Sequence, residues 1–303
     1  MTEEILQEIR ALKKQRNAVI LAHYYCSHEV QALADHVGDS FYLAKVAKGT
    51  DADVVVFCGV SFMGESAKLL NPDKIVLMPD PMADCAMAHM ASVDQIREMR
   101  AAYPDLAVVC YINSTAELKS HSDVCVTSSN AVEIVKALPN QNIFFIPDEN
   151  LGNFVKKQVP EKNVMVNHGF CPIHKAITVE QLVREKELHP HAKVLSHPEC
   201  NSDILAFSDY VGSTADIIRY AKASDADAFI VCTEQGVAYP LQQDNPHKQF
   251  FFCHPTPCCA DMKRNTPEKI LEVLKTLKNS VQVPEHRKHS ALRPLDRMLE
   301  VAK

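Results

Sequence analysis

Three cysteines occupy the same local setting. Cys85, Cys171 and Cys259 each lie seven residues before a helix start, at Ser92-Val93-Asp94-Gln95, Thr178-Val179-Glu180-Gln181 and Thr266-Pro267-Glu268-Lys269. The first two starts have capping-box spacing, and the third has Pro at the first helical position. Cys85 to Cys171 spans 86 positions and Cys171 to Cys259 spans 88. Where two cysteines adjoin, at Cys258-Cys259, the seven-residue offset selects Cys259. Three loop thiols without a fourth in register suit a [4Fe-4S] cluster held by three thiolates, with one iron open to substrate. They also suit zinc with three thiolates and a water, although zinc sites commonly show close Cys-x-x-Cys pairs and these three have none. An open iron is a Lewis acid that can hold a hydroxyl or carboxylate and promote loss of water. Unliganded loop thiols are the plain reading of any one of these cysteines and a weak reading of three in register.

Polar residues recur with the same period. His23/Tyr25, Tyr111/Asn113 and His197/Glu199 each follow a short apolar run, two residues apart and so on one face of an extended chain. Glu199 is the one carboxylate among these six and the candidate general base. Ser40, Ser128 and Ser213-Thr214 each stand where a loop turns into a helix, so their hydroxyls and nearby N–H groups can hold carboxylate or phosphate; the competing reading makes each a helix cap. Lys119, Lys175 and Lys263 fall near these loops and are candidates for phosphate. His89, His121, His168, His189, His191, His247 and His254 have no partner in register and read as surface or core residues.

The elements that must position these groups repeat as well. Strands are expected at Val19–Ala22, Val54–Cys58, Ile75–Leu77, Ala107–Cys110, Ile143–Ile146, Val164–Val166, Lys193–Ser196, Ala228–Cys232 and Phe250–Phe252, with helical stretches between them. Ala-Lys-x-x-Asp-Ala-Asp begins at Ala47 and again at Ala221, the same shift of 174 that separates Cys85 from Cys259. Three homologous units near 86 residues follow from this. Strands alternating with helices make parallel sheets covered on both faces, with ligands beyond the carboxyl ends of the strands. The expected fold is α/β: three similar α/β/α sandwich units around a pseudo-threefold axis, with a central active site. The units are placed at 1–84 plus about 260–303, 85–170, and 171–259. Leu292, Leu295, Met298 and Leu299 suggest a final helix that packs back on the body.

The chain has 303 residues, 23% charged and 47% hydrophobic, as in an ordinary soluble globular protein. A net charge of −6 and a pI near 6.2 argue against nucleic acid or an anionic membrane surface as the main partner. The polar, acidic start Met1-Thr2-Glu3-Glu4 does not read as a signal peptide, and no apolar run approaches the ~20 residues of a membrane span. A cytoplasmic protein with reduced thiols is expected. Of its eleven cysteines, Cys58, Cys110, Cys232 and Cys253 fall in strand-like runs, and Cys26, Cys125, Cys200 and Cys258 are expected in loops with the three in register.

Taken together, Leu21-Ala22-His23-Tyr24-Tyr25, Gly59-Val60-Ser61-Phe62-Met63-Gly64-Glu65-Ser66-Ala67-Lys68, Tyr111-Ile112-Asn113-Ser114, Thr127-Ser128-Ser129-Asn130-Ala131, Pro147-Asp148-Glu149-Asn150-Leu151-Gly152, His197-Pro198-Glu199-Cys200 and Cys259-Ala260-Asp261-Met262-Lys263 resemble the quinolinate synthase A family. The resemblance runs from residue 21 to the Leu292-Arg293-Pro294-Leu295 tail. It implies a cytoplasmic [4Fe-4S] transferase of NAD biosynthesis. Such an enzyme condenses iminoaspartate with dihydroxyacetone phosphate to give quinolinate, phosphate and two waters. It implies cluster ligands at Cys85, Cys171 and Cys259, and substrate contacts at His23, Tyr25, Ser40, Tyr111, Asn113, Ser128, His197, Glu199, Ser213 and Thr214. The catalytic set would be Tyr25, Glu199, His23 and His197, with Glu199 and Tyr25 moving protons and the two histidines helping to hold the carboxylates and phosphate. The L-aspartate oxidase or dehydrogenase that supplies iminoaspartate becomes a candidate for transient contact.

Overall fold

The computed structural model describes residues 2–301; Met1, Ala302 and Lys303, assigned above to the first unit, lie outside the described residues. Short apolar runs build three sheets. Strands β1 (Ala18–His23), β2 (His36–Gly38), β3 (Val54–Cys58) and β4 (Ile75–Leu77) pair in the order β2-β1-β3-β4. Strands β5 (Ala107–Tyr111), β6 (Val124–Val126), β7 (Asn142–Ile146) and β8 (Asn163–Val166) repeat it as β6-β5-β7-β8. Strands β9 (Lys193–Ser196), β10 (Tyr210–Val211), β11 (Ala228–Cys232) and β12 (Gln249–Phe252) give β10-β9-β11-β12. Every pairing is parallel. Helices cover both faces, which is why a run such as Val54–Cys58 is buried at every position. The fold is thus α/β with three similar α/β/α units.

In each sheet the first strand is central and the chain turns to opposite sides from it, which opens a crevice at its carboxyl end. His23, Tyr111 and Ser196 end these three central strands. The edge strands β2, β6 and β10, two or three residues long, carry no periodicity to read in advance. Each is anchored by an aspartate one residue before it: Asp35, Asp123 and Asp209 accept the N–H of Ile20, Val108 and Val194 at 2.8, 2.7 and 2.7 Å. These three carboxylates share the cysteines' period and hold each edge strand against its centre.

The expected helix starts are present. Ser92 and Thr178 form capping boxes on Val93–Ala102 and Val179–Leu188, and Thr266 caps Pro267–Thr276. Helix Pro267–Thr276 packs on the first helix, Glu3–Gln15, whereas the final helix, Glu285–Val301, lies mainly on helix Ala116–Ser120 and β6 of the second unit. The first two units share one continuous apolar core, and the third has separate clusters. Cys125 is not in a loop: it lies in β6, buried opposite Cys110 of β5. Cys26 and Cys200 are in turns but buried, their thiols reaching the carbonyls of Cys58 and Cys232 at 3.3 and 3.2 Å. No helix among the described residues is long and apolar enough to cross a membrane.

Candidate active site

One cavity lies where the three units meet. Cys85, Cys171 and Cys259 line it, as do His23, Tyr25, Ser40, Tyr111, Asn113, Ser128, His197, Glu199 and Thr214. Ser213 does not. It is the N-cap of helix Thr214–Ala223, its hydroxyl bonded to Asp216. Asp39 caps helix Ser40–Gly49 in the same way, so the structure pairs Ser40 with Thr214 and Asp39 with Ser213, one residue off the register read from the serines. None of Lys119, Lys175 and Lys263 lines the cavity. Lys119 is buried and donates to the Ser114 carbonyl, Lys175 pairs with Glu149 at 2.9 Å, and Lys263 pairs with Glu234 at 2.8 Å. Among the described lining residues there is no lysine or arginine.

The two strand-end histidines are held in one protonation state. The N–H of Tyr25 donates to His23 Nδ1 at 3.1 Å, and that of Glu199 to His197 Nδ1 at 3.3 Å. A nitrogen that accepts carries no proton, so the proton of each ring sits on Nε2; that of His197 is directed at Ser128 Oγ, 3.1 Å away. Burial, which disfavours the charged ring, brings both down to about 3 against the pull of Glu199. They are therefore neutral donors.

A buried hydrogen-bond chain crosses the cavity wall. Tyr25 Oη lies 2.9 Å from Thr214 Oγ1 and 2.8 Å from Thr233 Oγ1. Thr233 Oγ1 is 2.8 Å from His174 Nε2, and His174 Nδ1 is 2.7 Å from Glu199 Oε2 and 3.2 Å from Cys171 Sγ. Burial works to raise the Glu199 carboxyl, but His174, His197 and a Tyr111 hydrogen bond outweigh it and bring it down to about 2. Burial holds the hydroxyls of Tyr25 and Tyr111 well above the ordinary tyrosine range, so both keep their protons. Sequence reasoning missed His174, Thr233 and Glu234. The residues in register with His174 are Ala88 and Met262, so the repeat concealed it. Glu234 and Asp148 do share a register, each two residues past the third strand of its unit, and that was the available signal.

The donor set fits an iron–sulfur cluster. All three cysteines are free and half-buried, and each comes from a different loop. Three soft thiolates are a donor set that such a cluster would accept. Burial pushes the Cys85 thiol up to about 12 and those of Cys171 and Cys259 upward as well, so a bound cation is what would deprotonate them.

The family model described as "Quinolinate synthetase A protein" matches residues 7–300. The chain is 48% identical over 306 residues to the quinolinate synthase of Aquifex aeolicus, covering 99% of this chain and 95% of that one. It is 47% identical over 300 residues to that of Caldicellulosiruptor saccharolyticus and 46% identical over 305 to that of a Sulfurihydrogenibium species, with 99% of both chains covered in each case.

Proposed function

Since this chain belongs to the quinolinate synthetase A family, we propose that it is a quinolinate synthase that condenses iminoaspartate with dihydroxyacetone phosphate, releasing phosphate and two waters, in NAD biosynthesis. The observation that supports this most is the meeting of three equivalent cysteine loops and three sets of strand-end donors on one cavity. Cys85, Cys171 and Cys259 would hold a [4Fe-4S] cluster. When bound, the cluster supplies a Lewis-acidic iron suited to polarising a departing hydroxyl.

The protein's own residues divide the remaining work. Carboxylates and phosphate meet neutral donors here: the Nε2–H groups of His23 and His197, the hydroxyls of Ser40, Ser128 and Thr214, and the Asn113 amide. Ser40 and Thr214 are each the first residue of a ten-residue helix, the end at which the helix dipole is positive. Anions held by dipoles rather than by lysines leave the site without a tight ion pair to break on product release. Asn113 Oδ1 is buried without a partner, ready for a donor on the substrate.

The His174–Glu199 pair is the acid–base unit. Its ring nitrogen and carboxylate oxygen stand 2.7 Å apart, within reach for a proton to pass between them. Tyr25 and Tyr111, which keep their protons, act as hydrogen-bond donors. The test is anaerobic purification with iron and sulfide analysis, followed by turnover of iminoaspartate and dihydroxyacetone phosphate with quinolinate as the measured product. A brown protein with about four iron and four sulfide per chain that forms quinolinate supports the reading. Colourless protein without iron, or an iron protein that makes no quinolinate, overturns it.

A further inference from the structure

Each unit ties its cysteine loop to the turn after its third strand by one repeated bond. Ser61, Glu149 and Gln235 donate their N–H groups to the carbonyls of Ala83, Gly169 and Pro257, at 2.9, 2.7 and 2.9 Å. In every case the acceptor stands two residues before the cysteine. One residue earlier in the turn the units diverge, with Val60, Asp148 and Glu234. Asp148 Oδ2 accepts the N–H of Cys171 at 3.2 Å, and Glu234 Oε1 accepts the N–H of Cys259 at 3.0 Å.

Both carboxylates are fully buried, and each uses its second oxygen on a further N–H, Asp148 on that of Leu151 and Glu234 on that of Gly236, both at 2.6 Å. Glu234 differs in its lysine partner: Lys263 Nζ lies 2.8 Å from Oε1. Lys263 donates in turn to the carbonyl of Tyr25 at 2.5 Å. The first and third units touch here without room to spare: a Cβ on Gly236 would lie 2.5 Å from the Tyr24 carbonyl oxygen and 2.7 Å from Tyr25 Cα. Gln31 Nε2 closes the junction, its two hydrogens shared among the carbonyls of Tyr24, Cys26 and Gly236. This is also the loop in which two cysteines adjoin, and Cys258 is exposed while Cys259 is turned to the cavity.

We propose that Glu234 and Lys263 are positioning residues that pin the Cys259 N–H, turn Cys259 rather than Cys258 into the cavity, and lock that thiol in register with Tyr25 across the unit boundary. The proposal rests on the cluster reading for its benefit to catalysis, but the pinning is a property of the polypeptide alone. Glu234→Gln keeps the size and removes the charge. One of the two N–H groups that Glu234 accepts would then face an amide NH2. Lys263→Met removes the other half of the pair at a partly exposed position.

In cluster-free protein, brief alkylation with iodoacetamide followed by peptide mass spectrometry reads the loop directly. Cys258 should react well ahead of Cys259 in the wild type. In either variant that ratio should fall by about tenfold, the effect of one lost charge-assisted hydrogen bond, while the ratio of Cys85 to Cys171 stays unchanged. In reconstituted protein, iron loss to a chelator should speed up by a similar ~tenfold, and Lys263→Arg should restore the wild-type rate. A general loss of stability would raise the reactivity of all four cysteines together and would overturn the proposal. So would wild-type alkylation ratios in both variants. A wild type that takes up no iron defeats the cluster reading instead, and the alkylation ratios still decide this one.

Discussion

His174 Nδ1 lies 2.7 Å from Glu199 Oε2, with both side chains buried in the cavity wall. The two residues come from different segments, His174 from the short helix Pro172–Lys175 that follows Cys171 and Glu199 from the turn after β9, two positions past His197. Replacing Glu199 by Gln leaves His174 a hydrogen-bond acceptor but removes the carboxylate that could take up its proton. It also removes the negative charge that His23 and His197 both sense. Glu199→Gln should keep the fold and the iron content, still bind a dicarboxylate, and lose ~10²–10⁴-fold in turnover, the usual range for acid–base catalysis. Iron and turnover are to be measured on the same sample. Near-normal turnover with full iron would reduce Glu199 to a binding group.

The three cavity cysteines should behave alike and differently from the rest. Ser at Cys85, Cys171 or Cys259 should abolish both the brown colour and the activity. Ser at Cys26, Cys125, Cys200 or Cys258 should leave both in place, because the first three are buried away from the cavity wall and Cys258 faces solvent. Visible absorbance and iron content check this, and a full cluster in Cys259→Ser would transfer the ligand role to Cys258.

The neutral histidines set a pH dependence whose sign is determined. His23 and His197 have folded values of about 3 against 6.5 in the unfolded chain. Between those limits the unfolded chain binds more protons, so stability is complete above pH 6.5 and is lost as pH falls toward 3. Each histidine contributes ~1.4 kcal/mol per pH unit in that window. Glu199, lowered from 4.5 to about 2, adds a loss of the same sign at lower pH. Urea unfolding of cluster-free protein should show about 4 kcal/mol of lost stability from pH 7 to 5, and His197→Asn should roughly halve that slope. A flat profile would mean that these rings are not held neutral.

Much of this architecture is legible in the chain because it is written three times. Apolar runs marked the central strands, and Ser92, Thr178 and Thr266 marked helix starts at a fixed distance from the cysteines. What stayed hidden has physical reasons. Edge strands of two or three residues owe their place to Asp35, Asp123 and Asp209 rather than to a hydrophobic pattern. The serines misled by one position because Ser213 and Asp39 are interchangeable as caps, whereas Ser40 and Thr214 are the residues that face the cavity. Repeat logic finds what the units share, so His174, which belongs to one unit only, emerged only when the loops were seen folded together. Lys263 sits beside the site as expected, but its charge is taken up by Glu234.

Tyr25 provides the sharpest test of how the polar chain works. Its hydroxyl is flanked by Thr214 and Thr233 at 2.9 and 2.8 Å, and burial with the nearby Glu199 keeps it protonated. A phenol in that state is a poor source of a transferable proton near neutral pH, and its value lies in orienting the Thr233–His174–Glu199 chain and in donating to a bound oxygen. Tyr25→Phe should therefore lower kcat by ~10–100-fold, less than loss of an acid–base group, with little change in KM and in iron content. The pH profile of kcat should keep its shape, because no ionisation of Tyr25 contributes to it. If Tyr25 were the base, the substitution would instead erase one limb of that profile. Measuring kcat from pH 6 to 9 in wild type and variant separates the two, and a lost limb would shift the proton chemistry from the His174–Glu199 pair to Tyr25.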